Sequence, residues 1–300
     1  MYSKQSSSEK GTLYQLKTLI NRTSVPLDPS DNMKGAEDFL LVSLFSHIVA
    51  AAKTILANDS SIDCGSILAD EVLDKFLRVT IPGADFEGMQ TNDSVYLYAT
   101  DVLSVGLIWH GFHDAIREGG GDRVFTYWKF LLLIFKATNC QNYSKEAIIL
   151  LLQAQRLSPR QAAQLKWSRF VNIKGRTGCN IPCDLHLEHL NRRLKSIINN
   201  KGSNVTKSSF KQAAASINVV NHISQKFEEV QSKPNSNRHP YLNFEKDLSV
   251  LVQCLLDNEV FKVTSGRKHS SFQFKHGLLE KFETAKLKEW IKSTGNKAIL

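Results

Sequence analysis

The sequence predicts a mainly α-helical fold, a multi-helix globular domain with one small β-hairpin near the C-terminus. Apolar residues recur at three- and four-residue spacing along most of the 300 residues. Capping residues and glycine or proline breaks separate these segments, as they do between helices. Hydrophobic residues make up 42% of the chain and charged residues 22%, which is typical of a folded globular protein.

In the first half of the chain, helices are predicted over residues 13–21 (a short helix or turn), 32–56, 66–78, 95–117 and 122–137. Ser30 or Asp31 is expected to cap the second of these helices, and Asp122 the last. The triplet Gly119–Gly121 ends the fourth helix. No strand precedes this triplet and no Gly-Lys-Ser/Thr follows it, so it does not have the pattern of a phosphate loop.

The second half continues with helices and ends with the predicted hairpin. Ser144 is expected to cap one helix, and Ser158 followed by Pro159 to begin the next. Further helices are predicted over residues 183–199, 206–230, 244–256 and 278–292. Residues 260–264 and 270–274 alternate in polarity around a Ser-Gly-Arg-Lys turn, which predicts a β-hairpin.

These elements suggest four segments. We expect a disordered N-terminus over residues 1–11, a helical core over 12–232, a linker over 233–242 and a helix-hairpin-helix segment over 243–300 packed on the core. No signal peptide is evident, and no window reaches the roughly eighteen apolar residues of a membrane span. Five scattered cysteines do not form a disulfide framework and fit a reducing compartment. We therefore expect an intracellular protein that is not secreted and does not bind a membrane.

Charge is distributed unevenly along the chain. Residues 1–150 hold 13 Lys/Arg and 18 Asp/Glu, whereas residues 151–300 hold 25 and 11. This asymmetry favours an anionic partner such as DNA or RNA, and with it a nuclear location. Alternatively, the acidic half neutralises the basic half within one fold. Trp167 and Phe170 are candidates for stacking on unpaired bases. The candidate phosphate-binding residues are Lys166, Arg169, Lys174, Arg176, Arg192, Arg193 and Lys195.

Six strings in the sequence resemble one known family. They are Glu9–Arg22, Gly106–Ala115, Gly121–Phe130, Leu165–Asn172, Asn180–Arg192 and Ser271–Lys275. Together they span about residues 9–295, and they are similar to the domain of unknown function 6589. The resemblance implies a transposon-associated protein from a family without an established activity. Family members carry further sequence upstream, so we expect this chain to be a truncated copy.

The segment from Cys183 to His189 is the main candidate for chemistry. Asp184 and Glu188 lie four residues apart on a predicted helix, a spacing that suits a shared Mg²⁺ ion. Cys183 and His186 form a Cys-x-x-His pair, which is half of a zinc site. The alternative, purely structural interpretation is that Asp184 stabilises the first helical turn and Glu188 pairs with Arg192. On that interpretation Leu187, Leu190, Leu194 and Ile197 form the packed face of the helix.

An analogy with transposases extends this hypothesis. Some DNA transposases with an RNase H-like core carry a Cys-x-x-His string between their second and third catalytic acids. By that resemblance Asp114 or Asp122 is the second acid, and Glu188 or a later glutamate the third. No first acid and no β-rich core are evident, and a two-metal phosphoryl-transfer site needs all of its acids. The chain is therefore expected to be catalytically incomplete on its own.

A second cluster, His110, His113 and Asp114, either binds a metal or packs at the edge of the core. The preferred hypothesis for the whole chain is a transposable-element-derived, nucleic-acid-associated protein. One alternative is a metal-dependent transposase or nuclease fragment. The other alternative is a helical protein-interaction module.

Overall fold

The computed structural model describes residues 9–22, 25–26, 28–58, 92–200, 202–231, 244–269 and 284–297. Within these ranges the chain is mainly helical, as predicted, with ten α-helices and one two-stranded sheet. The predicted helix at 66–78 and the predicted linker at 233–242 lie outside the described residues. The helices are α1 Leu13–Leu19, α2 Met33–Asn58, α3 Ser94–Glu118, α4 Gly121–Ala137, α5 Gln141–Arg156, α6 Pro159–Trp167, α7 Cys183–Asn199, α8 Lys207–Gln231, α9 Phe244–Asp257 and α10 Thr284–Lys297.

Three of the predicted helix caps differ from those observed, at the starts of α2, α5 and α4. Asn32 caps α2 in place of Ser30 or Asp31, because its Oδ1 accepts a hydrogen bond from the Gly35 amide at 3.1 Å. α5 begins three residues before Ser144, so this serine is a buried residue inside the helix. The cap at Ser158 is confirmed, since its hydroxyl accepts from the backbone of Gln161 in a capping box.

The first turn of α4 also differs from the prediction. α4 begins at Gly121, so Asp122 lies within its first turn instead of capping it.

The hairpin lies in the middle of the chain, and its predicted position near the C-terminus was wrong. β1 (Phe170–Val171) pairs antiparallel with β2 (Ile181–Pro182). Residues 258–262 and 265–266 form turns and a bend, residues 263 and 264 are irregular, and residues 270–274 lie outside the described ranges. The turns follow from Arg267, whose guanidinium donates to the carbonyl oxygens of residues 258, 259 and 262 at 3.0 to 3.2 Å. The segment therefore wraps around a cation and cannot extend as a strand.

The chain divides into two compact units. Unit 1 comprises residues 1–111, 127–152 and 242–300, and unit 2 comprises residues 112–126 and 153–241. The main core of unit 1 is built by α1, α2, the first part of α3 and α9, with Leu16, Phe39, Leu103 and Leu251 fully buried. A second cluster in unit 1 packs Leu132, Ala147 and Ile148 against side chains that include Trp290 of α10. In unit 2, α7 packs against α8 and against both strands of the sheet.

Helix α2 is the one helix within the described ranges that is long and apolar enough to cross a membrane, judged by length and composition over Met33–Ala57. The expectation that no segment reaches this threshold was wrong, because Lys53 is the only Lys, Arg, Asp or Glu between Phe39 and Ala57. A core helix meets the same test. Phe39, Val42 and Ala50 of α2 are fully buried in unit 1, so packing against neighbouring helices accounts for the apolar character of this helix.

Candidate nucleic-acid interface

The net positive charge of the protein comes from unit 2. Its residue ranges hold 17 Lys/Arg and 7 Asp/Glu, a net charge of +10. The remaining residues, those of unit 1, hold 21 Lys/Arg and 22 Asp/Glu, a net charge of −1. The excess of cations therefore belongs to one compact unit, and this makes unit 2 the part of the chain to inspect for an anionic partner.

The loop between β1 and β2 presents two of the predicted cations. Lys174 and Arg176 are exposed, and the Asn172 side-chain amide donates to the Arg176 carbonyl oxygen at 2.8 Å. Gly175 and Gly178 have φ angles of 62° and 71°, with open space around the position that a Cβ would take. The loop therefore turns back on itself in solvent, with its two cationic side chains accessible.

The base of this loop is anchored to the end of α3. The Asn180 side-chain amide donates to the Arg117 carbonyl oxygen at 2.8 Å, and the Asn180 backbone amide donates to the same oxygen at 3.2 Å. Gly119 ends α3 with a φ angle of 73°, a left-handed conformation that glycine adopts without strain. The sequence indicated the glycine break but gave no sign of its partner Asn180, which lies 61 residues further along the chain.

Helix α7 packs on a face that differs from the predicted one. Leu190, Leu194 and Ile197 are half-buried as expected, whereas Leu187 is 57% exposed. His186 occupies the inner side of the first turns instead. The cause is the sheet, because the Cys183 amide donates to the Arg169 carbonyl oxygen at 2.8 Å and so fixes the start of the helix against the hairpin.

The outer face of α7 carries two further predicted cations, Arg192 and Lys195. Both are exposed, three residues apart and therefore on the same face of the helix. The expected pair between Glu188 and Arg192 is not formed in the structure, although both side chains are described. Arg193 is half-buried and takes part in an interaction within the fold. Arg192 and Lys195 are thus the accessible cations of this helix.

Lys166 and Arg169 are held by the fold. The Lys166 ammonium lies 2.7 Å from the Asp122 carboxylate, and the Arg169 Nε donates to the Leu165 carbonyl oxygen at 3.1 Å. Both cations also lie about 6 Å from the centre of the Phe125 ring. Burial lowers the pKa of Arg169, and the nearby Asp184 and Cys183 oppose this shift. These two residues contribute to packing in unit 2 and are less available to a ligand.

The two aromatic candidates for base stacking, Trp167 and Phe170, also differ in their exposure to solvent. Trp167 is 55% exposed at the end of α6, whereas Phe170 is half-buried in β1. Trp167 is therefore the side chain that remains available for stacking.

Asp114 and Asp122, two of the three predicted catalytic acids, are engaged in surface ion pairs. The Arg123 guanidinium lies 2.7 Å from the Asp114 carboxylate and also pairs with Glu118. Asp122 is 69% exposed and pairs with Lys166, and Glu188 is exposed on α7. Asp114 and Asp122 thus have partners within the fold, and the catalytic role of the three acids stays a prediction.

The predicted metal ligands do not form an assembled set. Cys183 Sγ donates to the Ser168 carbonyl oxygen at 3.2 Å, and the Asp184 carboxylate accepts from the Leu185 amide at 2.8 Å. His186 Nδ1 is buried, and no hydrogen-bond partner for it is described. Within the described ranges, no group of three or more His, Cys, Asp or Glu side chains is placed to hold a metal ion. A Mg²⁺ site at Asp184 and Glu188, or a zinc site at Cys183 and His186, stays a prediction.

The histidine cluster of α3 makes aromatic contacts. The exposed His110 meets the edge of the Phe45 ring with their centres 6.2 Å apart, and His113 meets Phe112 at 6.4 Å. These contacts agree with the interpretation that the histidines pack at the edge of the core.

The comparison with known proteins gives a family. A family model described as "Family of unknown function (DUF6589)" matches residues 1–239, and this range contains the basic hairpin loop and α7. No curated protein and no solved structure matches the chain. Since the model covers well over half of the sequence, the chain belongs to the DUF6589 family of unknown function.

Proposed function

We propose that unit 2 binds nucleic acid through phosphates, and that this chain is a transposable-element-derived protein that lacks independent catalysis. One observation carries the proposal. Lys174, Arg176, Arg192 and Lys195 are exposed on the β1–β2 loop and on α7, and the structure shows none of them in an ion pair within its described ranges. Cations without an internal partner are free to neutralise phosphates.

The kind of binding follows from the groups that are exposed. Lys and Arg side chains on a glycine-rich loop and along a helix contact phosphates without reading the sequence of bases. The exposed Trp167 adds a ring on which an unpaired base can stack, at roughly 1–3 kcal/mol per base. We therefore expect weak sequence dependence and a preference for single strands over duplexes. An intracellular, nuclear place of action goes with this proposal.

The test is a titration of the full chain against labelled single-stranded DNA, single-stranded RNA and duplex DNA by fluorescence anisotropy. Affinity should fall steeply between about 50 and 200 mM salt, because each neutralised phosphate releases counterions. The double variant Arg192→Gln/Lys195→Gln should lower the slope of log K against log salt by roughly 1.4 for single strands. The double variant Lys174→Gln/Arg176→Gln should act similarly.

The matched control is Lys34→Gln/Lys129→Gln, which removes two exposed cations from unit 1. This variant has the same change in net charge, and we expect it to bind nearly as tightly as the wild type. The absence of binding to all three ligands at about 50 mM salt would contradict the proposal. Equal losses in the control and in the two unit 2 variants would also contradict it, because binding would then follow net charge alone.

A helical protein-interaction module is the second candidate function. It is favoured by apolar side chains left exposed on α7 and α8, where Leu187 is 57% exposed and Val219 and Ile223 are each 61% exposed. Chains that ignore nucleic acid but lose self-association or partner binding on Val219→Ser/Ile223→Ser would support this second candidate.

A further inference from the structure

The loop between β1 and β2 presents a threonine beside its two cations. Arg176, Thr177, Gly178 and Cys179 form a turn, in which the Cys179 amide donates to the Arg176 carbonyl oxygen at 3.3 Å. Gly178 has a positive φ angle of 71° at the third position of this turn, where glycine is favoured. Thr177 therefore lies at the tip. It is exposed, and its hydroxyl makes no hydrogen bond to any residue that the structure describes.

The charges around Thr177 in the sequence are all positive. Lys174 lies three residues before it and Arg176 directly before it, and both are exposed. No Asp or Glu occurs between residues 156 and 183. Protein kinases with an acidic substrate groove select such segments, because the carboxylates of the groove pair with basic residues just before the acceptor hydroxyl. The charge of this loop therefore suits a basophilic kinase, which is a kinase of that class.

The structure distinguishes Thr177 from Ser196, which has a similar sequence context. Among the described Ser and Thr residues, these two have a Lys or Arg both one and three positions earlier. Ser196 lies inside α7, where its carbonyl oxygen accepts from the Asn200 amide at 3.1 Å. Arg193, three residues before Ser196, is half-buried and interacts within the fold. In a helix the side chains one turn away stand beside the hydroxyl, so Ser196 cannot enter a narrow cleft unless α7 unwinds.

We propose that Thr177 is a phosphorylation site for a basophilic protein kinase, and that its phosphorylation weakens nucleic-acid binding by unit 2. The second part rests on the proposed function. The kinase transfers the γ-phosphoryl group of ATP to Thr177 Oγ1, so that a P–O bond forms at this oxygen. The bond from the γ-phosphorus to the β–γ bridging oxygen breaks, ADP leaves with that electron pair, and the hydroxyl proton passes to the catalytic carboxylate of the kinase. The product carries about two negative charges next to Lys174 and Arg176, which offset these cations and repel a nucleic-acid backbone.

The first measurement tests the site. The full chain is incubated with Mg²⁺-ATP and the catalytic subunit of cAMP-dependent protein kinase, a basophilic enzyme, and the phosphate on each residue is followed by mass spectrometry of proteolytic fragments. We expect phosphate on Thr177 and little or none on Ser196. Lys174→Gln/Arg176→Gln should slow the modification of Thr177, whereas the matched control Lys34→Gln/Lys129→Gln should not. The proposal is overturned if Thr177 stays unmodified, or if Ser196 is modified as fast as Thr177.

The second measurement tests the consequence for binding. The phosphorylated chain should bind labelled single-stranded DNA on the order of tenfold more weakly than the unmodified chain near 100 mM salt, because two cations of the loop no longer neutralise phosphates. Thr177→Glu should cause a smaller loss, since it adds a single charge, and Thr177→Val should bind like the unmodified chain. Unchanged affinity after full phosphorylation overturns the regulatory part of the proposal. A chain that accepts phosphate on Thr177 but binds no nucleic acid in either form supports the modification site and contradicts the proposed function.

Discussion

At the scale of single residues, His47 shows how burial sets protonation. The side chain is fully buried in α2, and Nδ1–H donates to the Ser43 carbonyl oxygen at 2.7 Å. The ring meets the edge of Phe261 with centres 6.0 Å apart. Burial lowers the pKa of His47 to about 4, although the hydrogen bond to Ser43 favours the charged form. His47 is therefore neutral in the folded protein near pH 7.

This shift predicts the dependence of stability on pH. As pH falls below 6.5, His47 of the unfolded chain binds a proton that the folded protein does not accept until about pH 4. The free energy of unfolding should therefore fall over this range, on the order of 3 kcal/mol from His47 alone. His47→Gln should flatten the profile, measured by urea unfolding followed by circular dichroism.

His269 contributes in the same direction, since burial lowers its pKa as well and the Glu9 carboxylate opposes this shift only in part. The profile of His47→Gln is therefore expected to be flatter than that of the wild type without being level. His222→Gln, an exposed histidine of α8, is the control and should follow the wild type. Identical slopes in the wild type and in His47→Gln would show that the assignment to His47 is wrong.

Asp93, in contrast to His47, is a buried group that remains charged. Burial by itself would raise the pKa of this carboxyl, but hydrogen bonds from Arg267 and from the Thr264 and Tyr96 amides lower it below its ordinary value. The Arg267 guanidinium lies 2.7 Å from the carboxylate, and both side chains are largely buried. Asp93 also caps α3 through the Val95 and Tyr96 amides. One carboxylate thus fixes both the start of a helix and the turns near residue 262.

At the scale of elements, the break between α3 and α4 depends on close packing. A Cβ at Gly121 would lie 2.7 Å from the Lys166 carbonyl oxygen at the end of α6. Backbone atoms cannot move away as a side chain does, so glycine is needed for the two helix ends to approach. This contact also explains why Asp122 meets Lys166, and it joins two of the sequence strings that resemble the family.

Gly121→Ala should therefore destabilise the protein by about 1–3 kcal/mol, because the ends of α4 and α6 must separate. The matched control is Gly120→Ala, where the nearest atom to the added Cβ is 3.5 Å away, an ordinary contact. The control should change the free energy of unfolding by less than about 0.5 kcal/mol. Denaturant midpoints of the two variants provide the measurement, and equal effects would refute a special role for Gly121.

Helix α7 shows the limit of periodicity as a guide to packing. Its apolar residues are compatible with more than one inner face, and the sheet selects the one that includes Leu190 and exposes Leu187. Leu190→Ala should cost roughly 1–2 kcal/mol, below the range for a fully buried leucine because this side chain is half-buried. Leu187→Ala should cost less than about 0.5 kcal/mol. Thermal unfolding of the two variants measures the difference, and a loss at Leu187 comparable to that at Leu190 would restore the face predicted from the sequence, which contains both residues.

At the scale of the whole molecule, charge follows the compact units and not the two halves of the sequence. The acidic first half contributes residues 112–126 to unit 2, yet this unit keeps a net charge of +10. Unit 1 balances its own acids with its own cations, at 22 against 21. It therefore offers no net negative charge to neutralise unit 2, which favours an external anionic partner over internal compensation.

The sequence by itself determined the features that depend on neighbouring residues. The mainly helical fold, the extents of α2, α3, α7 and α8 to within two residues, and the cap at Ser158 and Pro159 were all predicted correctly. Helical periodicity and capping act over four or five residues, so a local pattern is enough to identify them.

Only the tertiary structure decided which residues meet across the chain. The two-stranded sheet is formed by residues 170–171 and 181–182. The segment around residue 265 forms turns instead of the predicted hairpin, because Arg267 binds Asp93, 174 positions earlier in the chain, and the neighbouring backbone folds around its guanidinium. The ion pairs of Asp114 and Asp122 and the inner face of α7 likewise depend on contacts between separate elements. Each depends on the approach of separate elements, and no pattern within one segment encodes that approach.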